Sequence, residues 1–166
     1  DVLLSVPGIW DNEQQIYDAQ QQKQDLFYRD GEKLIEMLVK PYDKNLVDDF
    51  KFLLPEDIPK KEFERLDSHT HNAFIAGNVN SYDDLMQLMQ ATAEVVKTGG
   101  MAVRVESSKT AVTAAEWLLT VKNPKKANLF KTFVGFLKIN NYVQSFGMHI
   151  LGMPDARAPE GTDEYY

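Results

Sequence analysis

Apolar positions recur along this chain in two periods, and each predicts a different element. Val2 to Ile9 is mostly apolar and is closed by Pro7-Gly8 and Trp10, which predicts a buried strand. Asp11 followed by Gln14 resembles a capping box opening a short polar helix over Asn12 to Gln22. Leu26-Phe27-Tyr28 and Leu34 to Val39 flank Asp30-Gly31, a dipeptide suited to the positive φ angles of a tight hairpin. Leu34, Ile35, Leu38 and Val39 also fit one helical face, so both readings stand at that point. Leu46, Val47, Phe50, Leu53 and Leu54 predict a helix from Asn45 to Leu54. Pro55 and Pro59 bracket a connector, and Glu62 to Leu66 adds a helical turn.

The second half carries stronger punctuation. Ala73 to Val79 reads as a strand containing Gly77, and Ser81 caps a helix with Asp84 three residues on. Leu85, Leu88, Met89, Thr92, Ala93 and Val96 form one apolar stripe on that helix, and Gly99-Gly100 ends it. Met101, Val103 and Val105 alternate with Ala102 and Arg104, which predicts a strand. Thr113 and Glu116 form a second capping box for a short helix carrying Trp117 and Leu118. Lys122 to Lys126 reads as a solvated basic linker, and Phe130 to Ile139 with Tyr142 to Phe146 as a hairpin around Asn140-Asn141.

In order these elements give an α+β domain, with a mixed or antiparallel sheet and helices packed mainly on one face, in two β-α-β-β-like halves. Residues 1–157 form the domain and 158–166 a flexible tail. A doubly wound nucleotide-binding fold is disfavoured, because Gly99-Gly100 ends a helix instead of opening one. With 166 residues, 43% of them hydrophobic and 26% charged, the chain suits one ordinary globular domain. Its formal net charge of −7 argues against nucleic acid or an anionic membrane as partner, but not against a basic protein. No apolar run is long enough to span a bilayer, and the amino terminus is not signal-like, although Asp1 suggests that the native start lies upstream. The absence of cysteine excludes disulfides, thiolate nucleophiles and cysteine-ligated metals, and fits a cytoplasmic location.

Three histidines are present. His69 and His71 would lie on the same side of an extended chain, and with His149 they make a candidate zinc-type metal site; the competing view is that they line or cap loops. Glu106 and Ser107 stand at a strand end, as a candidate general base and nucleophile, although no Gly-x-Ser-x-Gly elbow accompanies them and a solvated turn accounts for them equally. Gly147 to Asp155 holds two glycines, a proline, His149 and Asp155, and reads as a constrained corner whose Met148, Ile150, Leu151 and Met153 pack on the core. Asp48-Asp49 and Asp83-Asp84 read as solvated helix faces.

Val6-Pro7-Gly8-Ile9-Trp10-Asp11, His69-Thr70, Gly99 to Ser108, Trp117 and Gly147 to Asp155 together resemble a bacterial family, the domain of unknown function numbered four-two-six-one. The resemblance spans nearly the whole chain and is most specific at Gly-Gly-x-x-Val-x-Val-Glu-Ser and Gly-Met-His-x-x-Gly-x-Pro-Asp. It implies a cytosolic protein with no assigned activity. It also places His69, Glu106, Ser107, His149 and Asp155 at characteristic positions that gather near one surface. Two positions depart from the pattern, with Lys109 standing for a glycine and Ala111-Val112 for an Ala-His pair. The loss of that histidine favours binding over catalysis.

The expectation is therefore a non-enzymatic binding or accessory protein, of immunity type, that needs no cofactor and acts on another protein through a ligand surface drawn from His69, Glu106, Ser107, Trp117, His149 and Asp155. The alternative is a small hydrolase or metal-assisted enzyme in which Glu106, His69 and His149 converge on one point. A homodimer formed through an exposed sheet edge or helix stripe is a third expectation.

Overall fold

In the computed structural model, which describes residues 1–55 and 58–161, the first strand lies at the centre of the main sheet. β1 (Val2–Gly8) is flanked on one side by β5 (His71–Gly77) and on the other by β6 (Ala102–Val105). β4 (Ile35–Pro41) extends the sheet beyond β5, and β7 (Thr110–Thr113) extends it beyond β6, giving the order β4-β5-β1-β6-β7 with every pairing antiparallel. It follows that β1 runs parallel to β4 with β5 between them, and β5 runs parallel to β6 with β1 between them. Each of those parallel pairs is joined by helices, α1 (Glu13–Gln22) with α2 (Gln24–Phe27) for the first and α5 (Tyr82–Lys97) for the second. This is the split β-α-β arrangement of ferredoxin-like sheets. The two expected halves are thus recognisable, the second as β5-α5-β6-β7. In the first, the Asp30-Gly31 hairpin shrinks to a two-residue ladder between β2 (Tyr28–Arg29) and β3 (Glu32–Lys33).

Strand alternation divides the sheet into two faces. Val2, Leu4, Val6, Ile35, Met37, Val39, Ala73, Ile75, Val103, Val105 and Val112 all enter the larger core. Covering them are α1, α2, α5, α6 (Ala114–Lys122) and α7 (Lys126–Phe133), through Ile16, Phe27, Leu88, Trp117 and Phe133 among others. On the opposite face α3 (Lys44–Leu53) and α4 (Lys60–Leu66) bury Leu46, Val47, Phe50 and Leu66 over Ala102, Ala111 and Phe74. Most helices therefore share one face, and the other is covered only in part: Leu3 and Leu38 remain 39% and 54% exposed there.

The helix ends follow their sequence signals closely. Ser81 Oγ accepts the Asp84 backbone N–H, and Thr113 with Glu116 forms the expected reciprocal capping box. Asn12, one residue later than expected, caps α1 by accepting the Gln15 N–H. At the end of α5 the two glycines allow backbones to meet. A Cβ on Gly99, whose φ is +148°, would lie 2.5 Å from the Ile9 carbonyl oxygen, and one on Gly100 would lie 2.8 Å from Val6 Cγ1.

Three expectations are corrected. Leu26-Phe27 is helical in α2 because Phe27 turns inward beneath α5 and is fully buried, instead of pairing with a strand. Phe130 to Phe133 belongs to α7, where Leu129 and Phe133, four residues apart, both point into the core. The hairpin around Asn140 begins only at β8 (Gly135–Ile139), pairing with β9 (Tyr142–Phe146). Ala158 and Pro159, assigned to the tail by sequence, pair with β9 in β10 (Arg157–Pro159), and residues 162–166 lie outside the described residues.

Candidate functional site

His69 is a structural residue. Its side chain is buried, and Nδ1 donates to the Leu66 carbonyl at 2.8 Å. Nε2 then accepts from the Asp43 backbone N–H at 3.3 Å and from Asn72 Nδ2 at 3.1 Å, so the neutral ring ties the start of α3 to the start of β5. Burial holds its pKa below the ordinary value of 6.5, against the raising influence of the Leu66 carbonyl, Asp43 and Asp67. His71 Nδ1 lies 3.0 Å from Thr70 Oγ1. Both stand at the end of β5 remote from the entry to α5, beside Gly8, Trp10 and the carboxyl-terminal end of that helix.

His149 stands at the other end, in a 3₁₀ turn (Met148–Leu151) beside Asn80 and Ser81 at the entry to α5. The span of β5 separates the two positions, about 20 Å at ~3.3 Å per residue. Glu106 lies near that second end but on the α3 face of the sheet, where Oε1 accepts from Ser5 Oγ at 2.6 Å and Oε2 pairs with Arg104 Nη2 at 3.1 Å. Glu106, His69 and His149 therefore do not meet at one point. Among the described residues no group of three or more His, Asp and Glu side chains is placed to hold a metal ion, so the three-histidine arrangement does not form.

Trp117 is also placed differently from expectation. Its ring is fully buried at 5.8 Å from Phe133, and Nε1 donates to the Met89 carbonyl at 3.3 Å, so it offers nothing to a ligand. Val112 lies in the same core across from Val103.

What joins the two most specific sequence stretches is a packed corner. Ser107 is exposed, but Ser108 is buried with its Oγ 2.8 Å from Thr110 Oγ1, which in turn donates to the Thr132 carbonyl at 2.7 Å. A Cβ on Gly147, at φ +95°, would sit 2.0 Å from the Phe133 carbonyl oxygen and 2.6 Å from Ser108 Cβ. A Cβ on Gly135 would sit 2.2 Å from the Ser108 carbonyl oxygen. Asp155 closes the corner by accepting the Met148 N–H at 3.0 Å and lying 3.4 Å from His149 Nδ1. Ser145 Oγ accepts the Ala156 N–H at 2.7 Å. The Glu-Ser-Ser turn thus presses against the Gly-Met-His turn through backbone and small side chains. Lys109 adopts φ +55°, the left-handed conformation that glycine tolerates best.

This corner shapes one wall of a cavity of about 530 Å³. Tyr82 and Leu85 of α5, Leu129 and Phe130 of α7, and Ile150 to Met153 in and just after the turn line it, with Asn80, Ser81, His149 and Lys126 as polar groups. Phe130 and Lys126 also belong to an adjoining open hollow containing Val134 and Phe136, and the Phe130 and Phe136 rings stand 6.0 Å apart. The apolar surface is continuous from Tyr82 to Phe136. Lys126 lines both hollows and is exposed, as are Lys122 and Lys125 earlier in the same run; none of the three forms an ion pair among the described residues, whereas Lys131 is paired to Glu116 at 3.1 Å. Burial pushes the Glu116 pKa up, but the Thr113 N–H, Lys131 and the Thr113 hydroxyl outweigh it and hold the group below its ordinary value. A second hollow, of about 620 Å³, is bordered by Gln14, Gln20, Gln21 and Gln24 and lacks such an apolar lining.

Of the expected site residues, His149 and Asp155 are at the cavity or its supporting turn, and Ser107 lies on the neighbouring turn. His69, Glu106 and Trp117 are elsewhere. Lys126 and Phe130 were not singled out by sequence, although the signal was there: a lysine run followed at once by helically spaced apolar residues. Arg104 was also missed. It is 5% exposed, bonds to Asp49 Oδ2 at 2.7 Å as well as to Glu106, and its buried Nε finds no hydrogen-bond partner among the described residues. Comparison with protein-family models, curated proteins and solved structures finds no match. Among the described residues no helix is long and apolar enough to cross a membrane.

Proposed function

We propose that this chain is a cytosolic binding protein of the accessory type that takes an acidic, amphipathic segment of another protein into the groove between α5, α7 and the 3₁₀ turn. The observation that carries this reading is the pairing of an apolar trough with unpaired lysines on a chain whose net charge is −7. An exposed apolar strip of this kind needs a cover, and the lysines select one with negative charge at its rim. The groove lies along α7, so a helix laying leucine or phenylalanine side chains along it would bury them beside Phe130 and Tyr82. His149, held by Asp155, supplies a polar contact at the closed end. Glu106 has no part in this surface; with Arg104, Asp49 and Ser5 it holds α3 on the sheet. Resemblance to the family numbered four-two-six-one agrees with a binding role, since the histidine that departs from its pattern is replaced by core-facing Val112.

The test uses a fluorescein-labelled synthetic helix with Leu and Phe at helical spacing and glutamates elsewhere, followed by fluorescence anisotropy. Saturable binding is expected, weakened about tenfold or more by Lys126→Glu and by Phe130→Asp. A lysine-for-glutamate version of the same peptide should bind far more weakly. Absence of binding, or equal binding by both peptides, would overturn the reading.

A further inference from the structure

β4 forms one edge of the five-stranded sheet, and no described residue pairs with its outer side. We infer that this edge is a self-complementary interface through which two copies of the chain join their sheets into one ten-stranded sheet. The phase of the backbone decides which groups are available. Tyr42 N donates to the Thr70 carbonyl, in register with the pairs Lys40–Asn72 and Leu38–Phe74. Backbone groups alternate sides along an antiparallel strand, so Glu36, Leu38 and Lys40 turn theirs toward β5, and Met37 and Val39 turn theirs outward. The bond from Glu106 N to the Leu3 carbonyl at the far side of the sheet gives the same phase when carried across β1 and β5.

β4 runs from Ile35 to Pro41, so its middle residue is Leu38. An antiparallel pairing about a two-fold axis at Leu38 sets Met37 of each copy against Val39 of the other, in pairs that exchange backbone hydrogen bonds. It sets Leu38 against Leu38 and Glu36 against Lys40 in the closer, non-bonded pairs, where side chains touch most fully. All three of those side chains are exposed on the face away from the main core, with Leu38 54% exposed. Charge complementarity therefore appears twice, once on each side of the axis, with an apolar contact at the centre. Pro41 has no N–H to leave unsatisfied at the end of the ladder, and its carbonyl accepts from Asn72 Nδ2 within the same copy. A shift of one residue would place Met37 and Val39 out of phase with their partners. A shift of two would set Leu38 opposite Glu36 or Lys40 and lose the central contact. Lys40 Nζ now lies over the Phe74 ring at 5.3 Å, an exposed contact that it can exchange for a carboxylate.

Sedimentation velocity of the full chain over about 5–500 µM tests this interface. A reversible dimer is expected. Lys40→Glu alone and Glu36→Lys alone should each weaken it by about tenfold or more, since like charges then face one another on both sides of the axis. The double variant Glu36→Lys/Lys40→Glu should restore dimerisation to within about threefold of the unaltered chain. Circular dichroism confirms that these surface variants fold. A monomer throughout the range overturns the interface. A dimer that survives both single reversals, or fails to return in the double variant, overturns the Leu38-centred register.

Discussion

Alanine at Gly147 is expected to destabilise the protein by about 3 kcal/mol, whereas alanine at Gly152, five residues away in the same corner, should cost only about 1 kcal/mol. Both glycines have positive φ, +95° and +74°. Holding an L-residue in that region costs ~1–2 kcal/mol, offset by ~0.4–1 kcal/mol because alanine has fewer unfolded conformations to lose. At Gly152 nothing lies within 4 Å of the new Cβ, so those two effects are the whole account. At Gly147 the Cβ would fall 2.0 Å from the Phe133 carbonyl oxygen and 2.6 Å from Ser108 Cβ. Relieving that overlap must push the end of α7 away from the turn after β6, at the ~1–3 kcal/mol typical of overpacking. Urea unfolding followed by the fluorescence of Trp10 and Trp117, both buried, gives the comparison directly. With an m-value of ~2 kcal/mol/M, the Gly147 variant should unfold about 1.5 M earlier in urea. Midpoints for the two variants within about 0.3 M of each other would refute the view that Gly147 serves close backbone approach at this corner.

The neutral His69 makes stability depend on pH. Because its folded pKa lies below 6.5, the unfolded chain takes up a proton before the native chain does, so stability should fall as pH drops below about 6.5 and level off beneath the folded value. Denaturation curves from pH 7.5 to 5 should show less of this slope in His69→Gln; an unchanged slope would sink the assignment. Lys109→Gly should stabilise by about 0.5–1 kcal/mol by relieving the φ of +55°, as measured by thermal unfolding, and a loss of stability would count against it. Glu106→Gln should cost about 1–2 kcal/mol by leaving Arg104 with Asp49 alone. Adding Arg104→Met should cost less than the two single changes summed, since the stranded charge is then gone; additivity in a double-mutant cycle would contradict the coupling.

Elements specified by local chemistry were legible from sequence. Ser81, Thr113 with Glu116, and the Gly99-Gly100 stop mark helix ends through bonds within a few residues, and alternation sends Val103 and Val105 into the main core, although Met101, just before the strand, packs with Ala102 on the other face. What was not legible depends on long-range packing. Phe27 and Phe130 to Phe133 suit a strand by propensity, but α5 and the sheet recruit them as helical core residues. The candidate site divided along the same line. The Gly147 to Asp155 corner could be recognised from its glycines and proline. The separation of His69 from His149 follows from the direction of β5, which sequence spacing alone does not reveal. Trp117 was expected on a ligand surface, yet Met89 of the preceding helix and Phe133 of the following one close over it.

The most direct test of where this protein binds is a two-dimensional amide NMR titration of the isotopically labelled chain with the acidic amphipathic peptide. Shifts are expected to concentrate at Tyr82, Lys126, Phe130, His149 and Leu151, leaving Glu106 and His69 unmoved. Perturbations centred instead on α3, α4 and the Glu106–Arg104 pair would contradict the assignment of the α5–α7 groove as the working surface.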